Sequence, residues 1–112
     1  MKPKILVCGG RRYADAELVD KTLTELSPSC IIQGGCAGAD ALAKAWAIKN
    51  GVPMFECPAN WEKYGSSAGP IRNAWMVDYF PTTLVVAFPG GSGTASMVKI
   101  ARALNIEVKE IG

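Results

Sequence analysis

Three stretches of this chain combine glycine with groups that can bind anions, and each follows an apolar run: Gly9-Gly10-Arg11-Arg12-Tyr13, Gly34-Gly35-Cys36-Ala37-Gly38-Ala39-Asp40, and Pro89-Gly90-Gly91-Ser92-Gly93-Thr94. The third follows the most β-branched run, Thr82 to Ala87, and opens a helical pattern at Ala95, so it reads as strand, turn, helix. Its glycines permit positive φ and remove the Cβ atoms that would keep a ligand from the backbone. The first amides of the helix have no intrahelical partner and the dipole is positive at that end, which suits a phosphate. Ser92 and Thr94 add hydroxyl donors. The plain alternative is a tight connection with a Ser or Thr cap, for which one glycine would suffice. No Lys-Ser or Lys-Thr follows, so the nucleoside-triphosphate loop is absent. Gly91-Ser92-Gly93 is only a fragment of the dinucleotide fingerprint.

Other chemistry is constrained by what is missing. The chain has no His, which removes Ser–His and Cys–His nucleophile pairs, His general bases and His-based zinc sites; no metal site is expected. Cys8, Cys30, Cys36 and Cys57 form no CxxC pair and read as buried free thiols. Arg72 and Asn73 could meet phosphate oxygens, with a solvated surface cation as the plain reading of Arg72. Trp61 or Tyr64 could stack on a base or pack in a core or interface. Asp40 could hold a ligand hydroxyl or cap its helix. Of the adjacent Arg11 and Arg12, only one can face a given site. Trp46 and Trp75 are assigned to packing or to a subunit contact.

The length of 112 residues implies one domain, 1–112, able to bury roughly two-thirds of its unfolded surface without a cofactor or disulfide. With 12 Lys and Arg against 10 Asp and Glu, no strong field points to nucleic acid or a membrane. Met1-Lys2-Pro3-Lys4 leads directly into Ile5-Leu6-Val7, too short a run for a signal core, and nothing approaches a membrane-spanning length. The expected compartment is the cytoplasm.

The elements that must position these groups can be read in order. Strands are expected at Lys4–Cys8, Cys30–Gln33, Val52–Cys57, Thr82–Ala87 and Ile106–Lys109, and helices at Asp15–Leu26, Ala41–Asn50, Ile71–Tyr79 and from Ala95. The second helix is apolar almost all round and should pack on more than one side. Pro58 to Gly69 reads as one long irregular segment. Arg72 and Asn73 fall in the first turn of the third helix, where Arg opposes the dipole unless an anion is near. Strictly alternating strands and helices imply right-handed βαβ units and an open, doubly wound, five-stranded parallel α/β sheet in the order 3-2-1-4-5. Strand order reverses between the first and fourth strands, so all three glycine turns converge on the crevice where such sheets bind ligands.

Together, CGGRRYAD (Cys8 to Asp15), IIQGGCAGAD (Ile31 to Asp40), AGPIRN (Ala68 to Asn73) and VVAFPGGSGT (Val85 to Thr94) resemble the SLOG superfamily. These are Rossmann-like three-layer sandwiches related to the DNA-processing protein DprA and the LOG phosphoribohydrolases; the YspA-like branch is the nearest in look. The resemblance covers nearly the whole chain and implies a nucleotide or nucleotide-derivative site built from the glycine turns with Arg72 and Asn73. It also implies a homodimer or higher homo-oligomer. LOG hydrolases carry PGGxGTxxE with a catalytic Glu, where this chain has Met97, and the YspA-like branch often has Arg where this chain has Ala37. The leading expectation is therefore a module that binds, senses or sequesters a nucleotide-derived molecule, signalling nucleotides included, with Met97 as an apolar floor of the pocket. The alternative is a nucleoside 5′-monophosphate phosphoribohydrolase using Asp40 or Glu62 in place of the missing Glu, and the third is single-stranded DNA binding as in DprA.

Overall fold

The computed structural model describes residues 2–112. In chain order the elements are β1 (Lys4–Cys8), α1 (Ala16–Leu26), β2 (Cys30–Gln33), α2 (Ala39–Asn50), β3 (Met54–Glu56), α3 (Trp61–Tyr64), a 3₁₀ turn (Gly65–Ser67), α4 (Ala68–Tyr79), β4 (Leu84–Ala87), α5 (Ser92–Ala103) and β5 (Glu107–Glu110). All strand pairs are parallel, in the order β3-β2-β1-β4-β5, so the expected α/β architecture is the observed one.

The strands are apolar on both faces because helices cover both. Ile5, Val7, Ile31, Leu84 and Val86 face one core with Val19 and Leu23 of α1 and Ala43, Trp46 and Ala47 of α2. Leu6, Ile32 and Val85 face the other with Met76 and Val77 of α4 and Met97 and Ala101 of α5. Three helices stop at a residue that tolerates a left-handed turn, Ser27 (φ 50°) after α1, Gly51 (φ 65°) after α2 and Asn105 (φ 58°) just beyond α5, whereas α4 ends at the extended Phe80.

Several boundaries differ from expectation, and most share one cause. α2, α4 and α5 begin at Ala39, Ala68 and Ser92, earlier than the apolar periodicity suggested, and none has a side-chain cap; Gly38 and Gly91 stand at the caps of α2 and α5. Pro70 is thus the third residue of α4, where its missing N–H still falls among the unpaired ones. Asp40 lies inside the first turn of α2 and does not cap it. The segment taken as irregular holds α3 and the 3₁₀ turn. Asn60 Oδ1 accepts from Lys63 N (3.1 Å) to start α3, a single turn too short to show periodicity. α2 packs on both the sheet and α1, as expected of a helix covered on more than one side, although Ile48 remains 68% exposed. Trp46 is buried, its Nε1 donating to Thr24 Oγ1 at 3.2 Å, whereas Trp75 is exposed on α4.

Candidate functional site

The reversal of strand order between β1 and β4 opens a cavity of about 490 Å³ at the carboxyl ends of the strands. Of the residues singled out in the sequence, Gly9, Gly10, Arg11, Gly34, Asp40, Trp61, Arg72, Asn73, Gly91, Ser92, Gly93 and Thr94 line it. Arg12, Tyr13, Gly35, Gly38, Pro89, Gly90 and Glu62 do not. Arg11 faces the cavity and Arg12 is an exposed neighbour, which resolves the pair. Tyr13 packs its ring on Phe88 (centroids 5.2 Å apart), in the core beneath.

Residues outside the lining hold the turns together. Gly10 N donates to Pro89 O (2.9 Å), joining the first turn to the third, and Ala39 N donates to Gly10 O (3.2 Å), joining the second to the first. Gly38 sits where these backbones cross. Its φ is +77°, and a Cβ there would run into Gly10 O and the carbonyl of Arg11, so the position needs glycine for fold, not for ligand.

The second and third turns differ in what their amides do. In the second, Gly34 N and Cys36 N donate to Asp40 Oδ2 (3.1 and 3.3 Å), Gly35 N donates to Gln33 Oε1, and Ala39 N is bound to Gly10 O. Asp40 therefore closes its own loop and puts a carboxylate where an anion would have to go. Burial raises its pKa, and the amides of Cys36 and Gly34 and the charge of Arg72 offset part of that rise. In the third, the amides of Ser92, Gly93 and Thr94 have no acceptor among the described residues, and the helix's first internal bond is Ala95 N to Gly91 O (3.1 Å). These residues form the first turn of α5, so orphan amides, the helix dipole and two hydroxyls meet at one wall of the cavity.

Arg72 lies one turn inside α4, and the reason first offered for an anion beside it does not hold. Its Nη1 donates to Gly34 O (2.7 Å) and Cys57 O (3.2 Å), and its Nε to Asn73 Oδ1 (2.9 Å). Asn73 Nδ2 in turn donates to Gly93 O (3.2 Å). The pair is a strut between the second turn and the start of α5, and both residues line the cavity.

Sequence reasoning missed Val7, Cys8, Cys36, Ser66, Gly69, Pro70, Met76 and Ser96 in the lining. Ser96 could have been found from helical spacing, being four residues after Ser92 on α5. The thiols are free, but Cys57 alone is buried and the others are partly covered. Burial, aided by Asp40 and Glu110, pushes Cys8 up to about 12, so it is no nucleophile.

Met97 is not the floor of the cavity. It is 1% exposed and packed among Leu6, Ile32, Val85 and Ala101, while Met76 supplies the apolar surface that meets the cavity. Met97→Glu is therefore expected to lower stability by about 3 kcal/mol or more, the cost of an uncompensated buried charge, without releasing free base from nucleotides. Thermal melts and chromatography of the reaction mixture check both halves.

A family model described as "YspA, cpYpsA-related SLOG family" matches residues 3–64, more than half of the chain. The Gene 61 protein of Mycobacterium phage D29 is 31% identical over 121 residues, an alignment that covers 97% of this chain and 96% of that one. The chain belongs to the YspA, cpYpsA-related SLOG family. SLOG membership carries a nucleotide-related role in general terms. The matched segment holds the first two glycine turns and Trp61, and it ends before Arg72 and the third turn. Among the described residues no helix is long and apolar enough to cross a membrane.

Proposed function

We propose that this SLOG chain binds a nucleotide or a nucleotide-derived small molecule, with phosphate on the Ser92–Thr94 amides and the organic part extending toward Arg11 and Trp61, and that it acts as a sensor or sequestering module. Signalling nucleotides fall in that class. The observation that carries this reading is the contrast between two similar turns: one has tied its amides to Asp40 and Gln33, and the other leaves three amides and two hydroxyls at a cavity wall. A volume near 490 Å³ lies within the usual range for small-ligand sites.

Phosphoribohydrolase activity is the second reading, favoured by Asp40, a cavity carboxyl whose pKa burial raises, as a general acid requires. Against it, Asp40 Oδ2 is engaged by two amides, and Glu62 lies outside the cavity, so the second group that glycoside cleavage needs has no candidate there. Binding without efficient turnover is our reading.

The family resemblance also led to an expected homodimer, and one face of the molecule supports it. Ile71, Trp75 and Tyr79 repeat every fourth residue along α4 at 43%, 50% and 66% exposure, beside Phe55 of the edge strand β3 at 43%. Trp75 and Tyr79 stack at 4.8 Å. Aromatic side chains bury on the order of 150–250 Å² each, so this stripe supplies roughly a third or more of the ~800 Å² per partner of a standard interface. A two-fold axis at Trp75 would set Ile71 of one copy against Tyr79 of the other, an isologous contact.

Native mass spectrometry of protein purified without denaturation tests both points. We expect a retained phosphorylated small molecule and a dimer that Trp75→Ala converts to monomer. No nucleotide carried through purification, and none raising the melting temperature when added, would overturn the binding reading; a monomeric wild type would overturn the dimer. Free base appearing with ribose 5-phosphate over many turnovers would favour the hydrolase instead.

A further inference from the structure

The segment between β3 and α4 contributes Trp61 and Ser66 to the cavity lining. Neither α3 nor the 3₁₀ turn after it buries a residue, yet α3 places Trp61, 46% exposed, on the cavity wall. The guanidinium of Arg11, from the first glycine turn, lies over the Trp61 ring at 5.4 Å from its centroid. On another side the ring lies 3.4 Å from where a Cβ on Gly69 would stand, so the absence of a side chain there leaves room for it. An aromatic face and a planar cation from separate elements thus meet over one cavity. Both surfaces stack well on nucleobases, and an exposed cation–π contact opens at little cost.

We infer that Trp61 and Arg11 form a base clamp: the planar base of the ligand stacks on Trp61 with the Arg11 guanidinium on its other face or edge, making the site selective for nucleotides over sugar phosphates. This rests on the nucleotide-binding reading above and specifies which part of the ligand Trp61 and Arg11 recognise. Tyr64 is not a second stacking surface, since it lies outside the lining and its ring faces Lys63 Nζ at 5.2 Å.

The test is calorimetry with inorganic phosphate, ribose 5-phosphate, free ribonucleosides and a panel of ribonucleoside 5′-monophosphates, together with intrinsic fluorescence. Trp46 is buried on the other face of the sheet and Trp75 is outside the cavity, so a fluorescence change on binding reports Trp61. Nucleotides should bind about 5- to 150-fold tighter than ribose 5-phosphate, the span of base–aromatic stacking. Trp61→Ala should erase that preference while leaving ribose 5-phosphate binding unchanged. Trp61→Phe should keep much of the preference but lose the fluorescence change. Equal affinity for nucleotides and ribose 5-phosphate, or a preference that survives Trp61→Ala, would overturn the clamp, as would no binding of any compound. If nucleosides bind with the fluorescence change and Gly93→Val does not weaken nucleotides, the clamp stands and the phosphate turn falls.

Discussion

Gly90→Ala is expected to lower the melting temperature by roughly 10 °C or more, whereas Gly93→Val, in the same glycine-rich stretch, is expected to leave the fold intact and abolish ligand-induced stabilisation. A Cβ on Gly90 would meet Gly10 N at 2.6 Å and Gly9 C at 2.9 Å, both backbone, as well as Thr94 Oγ1. Backbone can give way only by pulling the first turn from the third, where the Gly10 N to Pro89 O bond joins them at 2.9 Å. Overpacking of this kind costs about 1–3 kcal/mol, the lost hydrogen bond adds to it, and each kcal/mol is worth about 4–8 °C in a small domain. At Gly93 a Cβ meets nothing within 4 Å, and Val is a better helix residue than Gly. Its branched side chain would instead stand among the orphan amides that line the cavity. Melting curves with and without added nucleotide read both variants. A Gly90→Ala protein that melts like wild type would refute the packing account, and a ligand shift retained by Gly93→Val would refute the phosphate turn.

Arg72→Ala should cost roughly 2–4 kcal/mol of stability, reflecting charge-assisted bonds to the carbonyls of Gly34 and Cys57 that no other group replaces, and should weaken nucleotide binding by loosening both turns. Lys should restore little, since a single ammonium cannot reach Gly34 O, Cys57 O and Asn73 Oδ1 together. A pH dependence distinguishes this account from mere loss of packing. Burial raises the folded-state pKa of Asp40 above its unfolded value, so its ionisation subtracts stability as pH rises from the unfolded to the folded pKa. The charge of Arg72 opposes that rise. Its removal lifts the folded pKa further, so the deficit of Arg72→Ala against wild type should widen as pH climbs through this window and shrink below it. Asp40→Asn in both backgrounds should flatten the difference. A deficit independent of pH in urea melts would show that the two groups are not coupled.

The sheet order was legible in the sequence because alternating apolar runs and helical patterns admit few un-knotted arrangements. The starts of α2 and α5 were not, because Gly38 and Gly91 stand at caps without offering a side-chain acceptor. That error hid the difference between the second and third turns. The site's location was legible because topology and glycine placement select the same end of the sheet. The internal bonding of Asp40, Gln33 and Arg72 was not, because each bond joins parts of the chain brought together by turn geometry. Met97 shows the same limit: motif spacing put it at the pocket, whereas the rotation of α5 buries it and turns Ser96 to the cavity.

The bond from Gly10 to Pro89, beside the pairing of β1 with β4, also bears on when the cavity comes into being. During synthesis β1, β2 and β3 with their helices can emerge and dock as a near-contiguous unit, but the strand that completes the centre of the sheet begins only at Leu84. Closing so long a loop is the entropically slow step of assembly. Until it closes, the first turn lacks its link to the third and α5 has no place to present its amides. Ligand affinity should therefore emerge late and all at once, making nucleotide binding a reporter of completed folding rather than of its early stages.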